Sequence, residues 1–163
     1  MKYTDAKVTL IEVPDEISLC INISNCPCQC EGCHSSYLAK DIGTVLDEVS
    51  LNRLIERNVG ISCVSFMGGD ADPSMVNYLA ACIRNRYPSM KIAWYSGRQA
   101  INENINFKNF DYIKIGPYIK ELGGLDSKET NQKMYHVVEC TYEDGTHGYE
   151  LEDITYKFHK NAI

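Results

Sequence analysis

Apolar and polar positions alternate along Lys7 to Val13, and an apolar run follows from Ile17 to Ile23, with the break Pro14-Asp15-Glu16 between them. Two strand-like segments on either side of a turn signal predict a hairpin. From Tyr37 to Glu48 the chain is polar and irregular. Leu51, Leu54 and Ile55 then share one face of a helix beginning near Ser50, with Gly60 just past its end as a C-terminal cap. Ile61 to Met67 is a short, nearly continuous apolar run, the pattern of a strand buried on both faces in a parallel sheet. Asp72-Pro73 starts a second helix; its stripe of Val76, Leu79, Ala80, Ile83 and Tyr87 has helical period, and Pro88 stops it. Lys91 to Tyr95 and Asp111 to Ile115 read as further strands, with a weaker helical stretch, Gln99 to Asn106, between them. Glu121 to Lys133 is rich in Gly, Ser, Asp, Lys, Asn and Gln, which predicts a mobile loop. Met134 to Cys140 returns to a strand, Asp144-Gly145 marks a turn, and Tyr149 to Phe158 folds back as an edge strand.

Strand and helix thus alternate repeatedly, the signature of parallel βαβ units with right-handed crossovers. The chain has 163 residues, the length of one ordinary domain, so a single domain spanning 1–163 is expected. A full eightfold barrel needs about 250 residues, so the expected fold is α/β, a partial (incomplete) parallel β/α barrel of roughly four to six βα units. Ligands of such folds collect at the carboxyl ends of the strands. The segment from Asn25 to His34, Gly68-Gly69-Asp70, Tyr95-Ser96-Gly97 and Gly116-Pro117 all fall there.

Composition narrows the class. Hydrophobic residues make up 44% and charged residues 23%, as in a globular domain. There is no long apolar span, and Met1-Lys2-Tyr3-Thr4-Asp5 lacks the apolar core of a signal peptide, so a cytoplasmic protein away from the membrane is expected. The net charge is −6. Without clusters of Lys and Arg, nucleic acid is not an expected partner. Eight cysteines in a chain read as cytoplasmic are metal ligands or buried thiols rather than a disulfide framework. Cys20, Cys63, Cys82 and Cys140 lie on apolar runs and read as small buried hydrophobes. Arg84 and Arg86 read as a solvated helix face.

The other four cysteines lie between Cys26 and Cys33. Cys26, Cys30 and Cys33 have the spacing C-x3-C-x2-C, and three thiolates on one loop can hold three irons of a [4Fe-4S] cubane, where a closed electron-transfer cluster takes four. One iron is left open. Zinc held by four of Cys26, Cys28, Cys30, Cys33 and His34 is the structural alternative, disfavoured because structural zinc usually takes its ligands as pairs from separate stretches. Cys28 stands two residues from both Cys26 and Cys30, too tight to place all four sulfurs comfortably on one cubane, and reads as a bystander. In Gly68-Gly69-Asp70 the glycines allow close approach to the backbone, and a carboxylate beside exposed carbonyls suits an ammonium group. A plain strand-to-helix connection has the same pattern. Trp94 fits core packing, and Asn131-Gln132 a polar turn.

The C-x3-C-x2-C motif resembles that of the radical S-adenosylmethionine enzymes. Cys30-Glu31-Gly32-Cys33 is similar to the small activating proteins of anaerobic ribonucleotide reductase, because many other members carry an aromatic residue where Gly32 stands. By element order the resemblance runs from about Ile17 to about Tyr135. Gly68-Gly69-Asp70 resembles the family's Gly-Gly-Glu motif, which lines the methionine amino group, with Asp70 in place of Glu. Trp94-Tyr95-Ser96-Gly97 and Asn131-Gln132 are further matches. The resemblance implies a [4Fe-4S] cluster on Cys26, Cys30 and Cys33 with one open iron, and S-adenosylmethionine bound by Gly68, Gly69, Asp70, Ser96, His34 and Asn131. His34 and Ser35 stand where relatives often have an aromatic residue and Asn, a departure on the adenine side. The implied enzyme cleaves S-adenosylmethionine reductively and generates a glycyl radical on the large subunit of an anaerobic (class III) ribonucleotide reductase. Its electron donor would be a flavodoxin or ferredoxin. The alternatives are another small radical enzyme of this kind, either an activase of a different glycyl radical enzyme or a deazapurine synthase, and a non-catalytic iron-sulfur or zinc module.

Overall fold

The computed structural model describes residues 1–159. Its strands are β1 (Lys2–Thr9), β2 (Ser18–Ile23), β3 (Thr44–Val45), β4 (Cys63–Met67), β5 (Lys91–Tyr95), β6 (Tyr112–Ile115), β7 (Lys133–Thr141) and β8 (His147–Asp153), with helices α1 (Glu48–Arg57) and α2 (Pro73–Arg86). The strands form one sheet in the order β3-β1-β2-β4-β5-β6-β7-β8. Only the central pairings β2/β4, β4/β5 and β5/β6 are parallel. The outer pairings β1/β2, β1/β3, β6/β7 and β7/β8 are antiparallel. The expected partial parallel β/α barrel is therefore wrong: the fold is a mixed, mostly antiparallel eight-stranded sheet with two α-helices among the described residues.

Two local causes explain the difference. The stretch Gln99 to Asn106 forms no helix, because asparagine side chains take up its backbone donors: Asn102 Oδ1 accepts from Asn104 N at 2.9 Å, and Asn77 Oδ1 of α2 accepts from Asn106 N at 2.9 Å. Short polar side chains compete with the helical ladder in this way, and the crossover carries only a 3-10 turn at Phe107–Asn109. Beyond β6, the long strands β7 and β8 are joined by a tight turn and can only pair antiparallel. The first strand also differs. It occupies Lys2–Thr9 rather than Lys7 to Val13, and pairs with β2 from Thr9↔Ser18 to Tyr3↔Ile23.

The helices form as patterned. Asp47 caps α1 through a reciprocal box, with Ser50 N donating to Asp47 Oδ1 at 2.8 Å and Asp47 N to Ser50 Oγ at 2.9 Å. Asp72 caps α2 by accepting from Met75 N, and Pro73 occupies its first turn. Both helices pack on one face, where Leu19, Ile21, Val64, Phe66, Ile92, Trp94 and Ile113 meet Leu51, Ile55, Val76, Leu79 and Ile83. Strand alternation gives the opposite face Ser18, Cys20, Cys63, Ser65, Ala93, Tyr95, Tyr112 and Lys114. This face is crossed by the Leu10 to Glu16 segment, whose Val13 is fully buried against Cys63 and Ala93.

The remaining expectations divide. Cys20 and Cys63 are buried thiols, whereas Cys82 and Cys140 are partly exposed. Arg84 is not a solvated charge: it bonds Asp111 Oδ2 at 2.6 Å, and Asp111 Oδ1 receives Lys91 at 3.1 Å. Glu121 to Thr130 is irregular, with Leu125 buried on Met134 and Ile154. The final edge strand ends at Asp153, where Asp153 Oδ1 accepts from Thr155 N and opens a 3-10 turn. No helix of the described residues is long and apolar enough to cross a membrane.

Candidate metal centre

The parallel strands β2, β4, β5 and β6 end on one rim, and each hands its chain to a segment with candidate chemistry. After β2 the loop is pinned by Asn25 N donating to Lys40 O at 3.0 Å and Cys26 N to Leu38 O at 2.8 Å. Asn25, Gln29 and Gly32 take left-handed φ of 63°, 46° and 74°, so the loop curls tightly. Cys26, Cys28 and Cys30 are half-buried while Asn25, Pro27 and Gln29 are exposed, which turns the three alternate thiols towards the protein. All four cysteines of the loop are unbridged.

Asp70 is the hub of the rim. Its carboxylate is 8% exposed, accepts Ser96 Oγ at 2.5 Å on Oδ1 and Gly97 N at 2.8 Å on Oδ2, and receives the Cys28 thiol at 3.7 Å. Ser96 Oγ in turn accepts from Arg98 N at 3.0 Å. Gly68 is held by Trp94, whose indole Nε1 donates to Gly68 O at 2.9 Å, so the tryptophan serves the core and the rim together. Gly69 has φ of 91°, and a Cβ there would stand 2.5 Å from Val76 Cγ2. Only glycine lets the turn lie this close to α2. Beside Asp70 opens a cavity of about 540 Å³ bordered by Pro73, Arg98, Ile101, Asn102 and Glu103.

Among the expected residues, Gly68, Gly69, Asp70 and Ser96 come together, with Gly97 and Cys28 added. Asn131 belongs to the neighbouring corner: its Nδ2 donates to Pro117 O at 2.9 Å, while its buried Oδ1 has no partner. His34 is exposed; its electrostatic neighbour is Glu12, whose carboxyl is raised by burial and lowered in part by His34. The residue sequence reasoning passed over is Lys114. A lone lysine in the short strand Tyr112-Ile113-Lys114-Ile115 was the available signal, since alternation points it to the face opposite the helices. Its ammonium is buried, donates to Gly116 O at 2.7 Å and Ser96 O at 3.5 Å, and has its proton affinity lowered to about 8 by burial, opposed by Asp70, Cys30, Cys28 and Cys33.

Gly116 O, Ser96 O and the nearby Asp70 leave the buried ammonium short of full counter-charge, which is costly. An anionic group among these thiols would supply it, and a thiolate-ligated iron-sulfur cluster is one. Among the described residues no three His, Cys, Asp or Glu side chains gather as around a single metal ion, whereas a cubane spreads its thiolates over separate irons. The donor set is that of an iron-sulfur protein on the rim of a mixed sheet. The chain belongs to the 4Fe-4S single cluster domain family, whose profile matches residues 17–143. Among curated proteins and among solved structures, none matches the chain.

Proposed function

We propose that the protein is a radical S-adenosylmethionine activase of an anaerobic ribonucleotide reductase. The observation that carries this reading is the joint position of the C-x3-C-x2-C loop and the buried Asp70 carboxylate on one rim, linked through Cys28 at 3.7 Å. Cys26, Cys30 and Cys33 would hold the cluster. When bound and reduced by an external donor, such a cluster with one open iron would supply the electron for reductive cleavage of the sulfonium of S-adenosylmethionine, chemistry that would end in hydrogen abstraction from a glycine of the partner. Asp70, held by Ser96 Oγ and Gly97 N, would accept the substrate ammonium. Lys114 would place positive charge near the thiolates, and the glycines at 68 and 69 would admit the ligand to backbone carbonyls. The cavity beside Asp70 would take the nucleoside. Asn131, in the neighbouring corner, and His34, on the loop, would meet parts of S-adenosylmethionine outside that cavity.

Access supports a large target. The sheet face opposite the helices is covered by Leu10 to Glu16, latched by the Tyr95 hydroxyl donating to Glu12 O and by Ser62 Oγ donating to Glu16 Oε2 at 2.5 Å. A substrate therefore comes to the rim from outside, as a glycine loop of the reductase large subunit can. The electron donor would be a flavodoxin or ferredoxin, in a cytoplasmic setting. The test mixes anaerobically reconstituted, reduced protein with S-adenosylmethionine and a class III reductase. Methionine release together with a glycyl radical signal is the expected result; methionine release without that signal rejects the activase role.

A further inference from the structure

We infer that Cys28 is a fourth, exchangeable thiolate of the cluster, closing the open iron in the resting protein and yielding it when S-adenosylmethionine arrives. This rests on the radical reading above. Three observations carry it. Cys28 lies on the same half-buried side of the loop as Cys26 and Cys30. Its sulfur is not loose but seated, 3.7 Å from Asp70 Oδ2. The seat is shaped for it: a Cβ at Gly97 would lie 2.7 Å from Cys28 Sγ and 3.2 Å from Cys28 Cβ. Gly97 is not among the glycines with positive φ, so its backbone alone does not demand glycine, and the thiol does.

The chemistry follows from what Asp70 must do. An amino group that bonds the open iron and also reaches Asp70 has to lie between the two. Cys28 Sγ already stands on the Asp70 side of that space, so thiol and amino group cannot both occupy it. Thiolate is a soft ligand suited to iron-sulfur clusters, and release to the seat on Asp70 relieves the crowding of a fourth sulfur two residues from both Cys26 and Cys30. On ligation an Fe–S bond forms and the thiol proton goes to solvent; on release that bond breaks and the thiolate takes a proton back. No electron is exchanged, and the resting cluster is guarded against loss of its least-held iron.

The test is iron loss in the full chain, reconstituted anaerobically and without S-adenosylmethionine. Ferricyanide takes one electron from [4Fe-4S]2+, which then releases Fe2+ and leaves [3Fe-4S]+, read by its spin-resonance signal. Conversion is expected to be about tenfold faster or more in Cys28→Ala than in the wild type. Gly97→Ala keeps the thiol but displaces it, and is expected to fall between them, so the test survives if Cys28→Ala assembles poorly. Cys28→Ala is expected to bind S-adenosylmethionine more tightly, since no ligand has to be displaced. Equal iron loss in all three proteins overturns the role of Cys28 and leaves the radical reading intact if S-adenosylmethionine still changes the reduced cluster's signal. Faster loss in Cys28→Ala with no response to S-adenosylmethionine in any protein overturns exchange and the radical reading together, Cys28 then being a permanent ligand.

Discussion

Asp70 concentrates the chemistry of the rim because it is a buried carboxylate whose partners are fixed by the fold: a hydroxyl, a backbone N–H and a thiol. Asp70→Asn keeps the size but removes the charge that an ammonium would meet. A hydrogen bond to a charged group contributes about 1.5–3 kcal/mol, so the dissociation constant of S-adenosylmethionine should rise roughly ten- to a hundredfold. The visible absorbance of the cluster should stay unchanged, which separates this loss from loss of the metal. Glu12 is the opposite case. Burial raises its carboxyl above the ordinary value of 4.5, offset in part by His34. The folded protein thus holds this proton to higher pH than the unfolded chain, and stability falls as pH rises from about 4.5 through the folded value. Glu12→Gln should flatten that fall and raise the melting temperature at pH 7. Melting curves across pH 4–8 in both proteins check the sign. Asp70 could be read in the sequence because a glycine pair precedes it; Lys114 was overlooked because a single lysine in a strand has no motif, and its meaning depends on which face it takes.

The turn from β4 into α2 is where element geometry sets the site. Gly69 combines a left-handed φ of 91° with a Cβ position 2.5 Å from Val76 Cγ2. Gly69→Ala is therefore both strained and overpacked, each costing about 1–3 kcal/mol. Denaturant unfolding should show that loss, and Asp70 should lose its register with Ser96 and Gly97. The start of α2 was legible because Asp72-Pro73 is a local capping signal, whereas α1 was placed near Ser50 by its apolar spacing and the unread box of Asp47 and Ser50 starts it at Glu48. The stretch from Gln99 to Asn106 was not legible as irregular. Its apolar spacing permits a helix, and the decision against one came from Asn77, a residue of α2 that accepts from Asn106 N and from Asn109 Nδ2.

For the whole molecule, the Leu10 to Glu16 strap decides how the site is approached. Val13 is buried on the sheet face, while Leu10 is 69% and Ile11 78% exposed, so the strap is latched at its middle and end and open at its start. Tyr95→Phe removes the bond to Glu12 O, which leaves a part-buried carbonyl short of a donor and costs about 1 kcal/mol. Limited proteolysis should then cut within residues 10–16 several-fold faster, with the cluster absorbance unchanged; equal rates would mean that Val13 and Glu16 hold the strap without the tyrosine. The iron-sulfur character of the loop, the Asp72 cap of α2 and the positions of the central strands came from the sequence by itself, because thiol spacing, capping side chains and apolar periodicity act over a few residues. The direction of the outer strands, the strap across the open face, the burial of Lys114 and the seat of Cys28 against Gly97 were decided only in three dimensions. Each depends on a contact between residues far apart in the chain, and local pattern holds no record of which partner will be met.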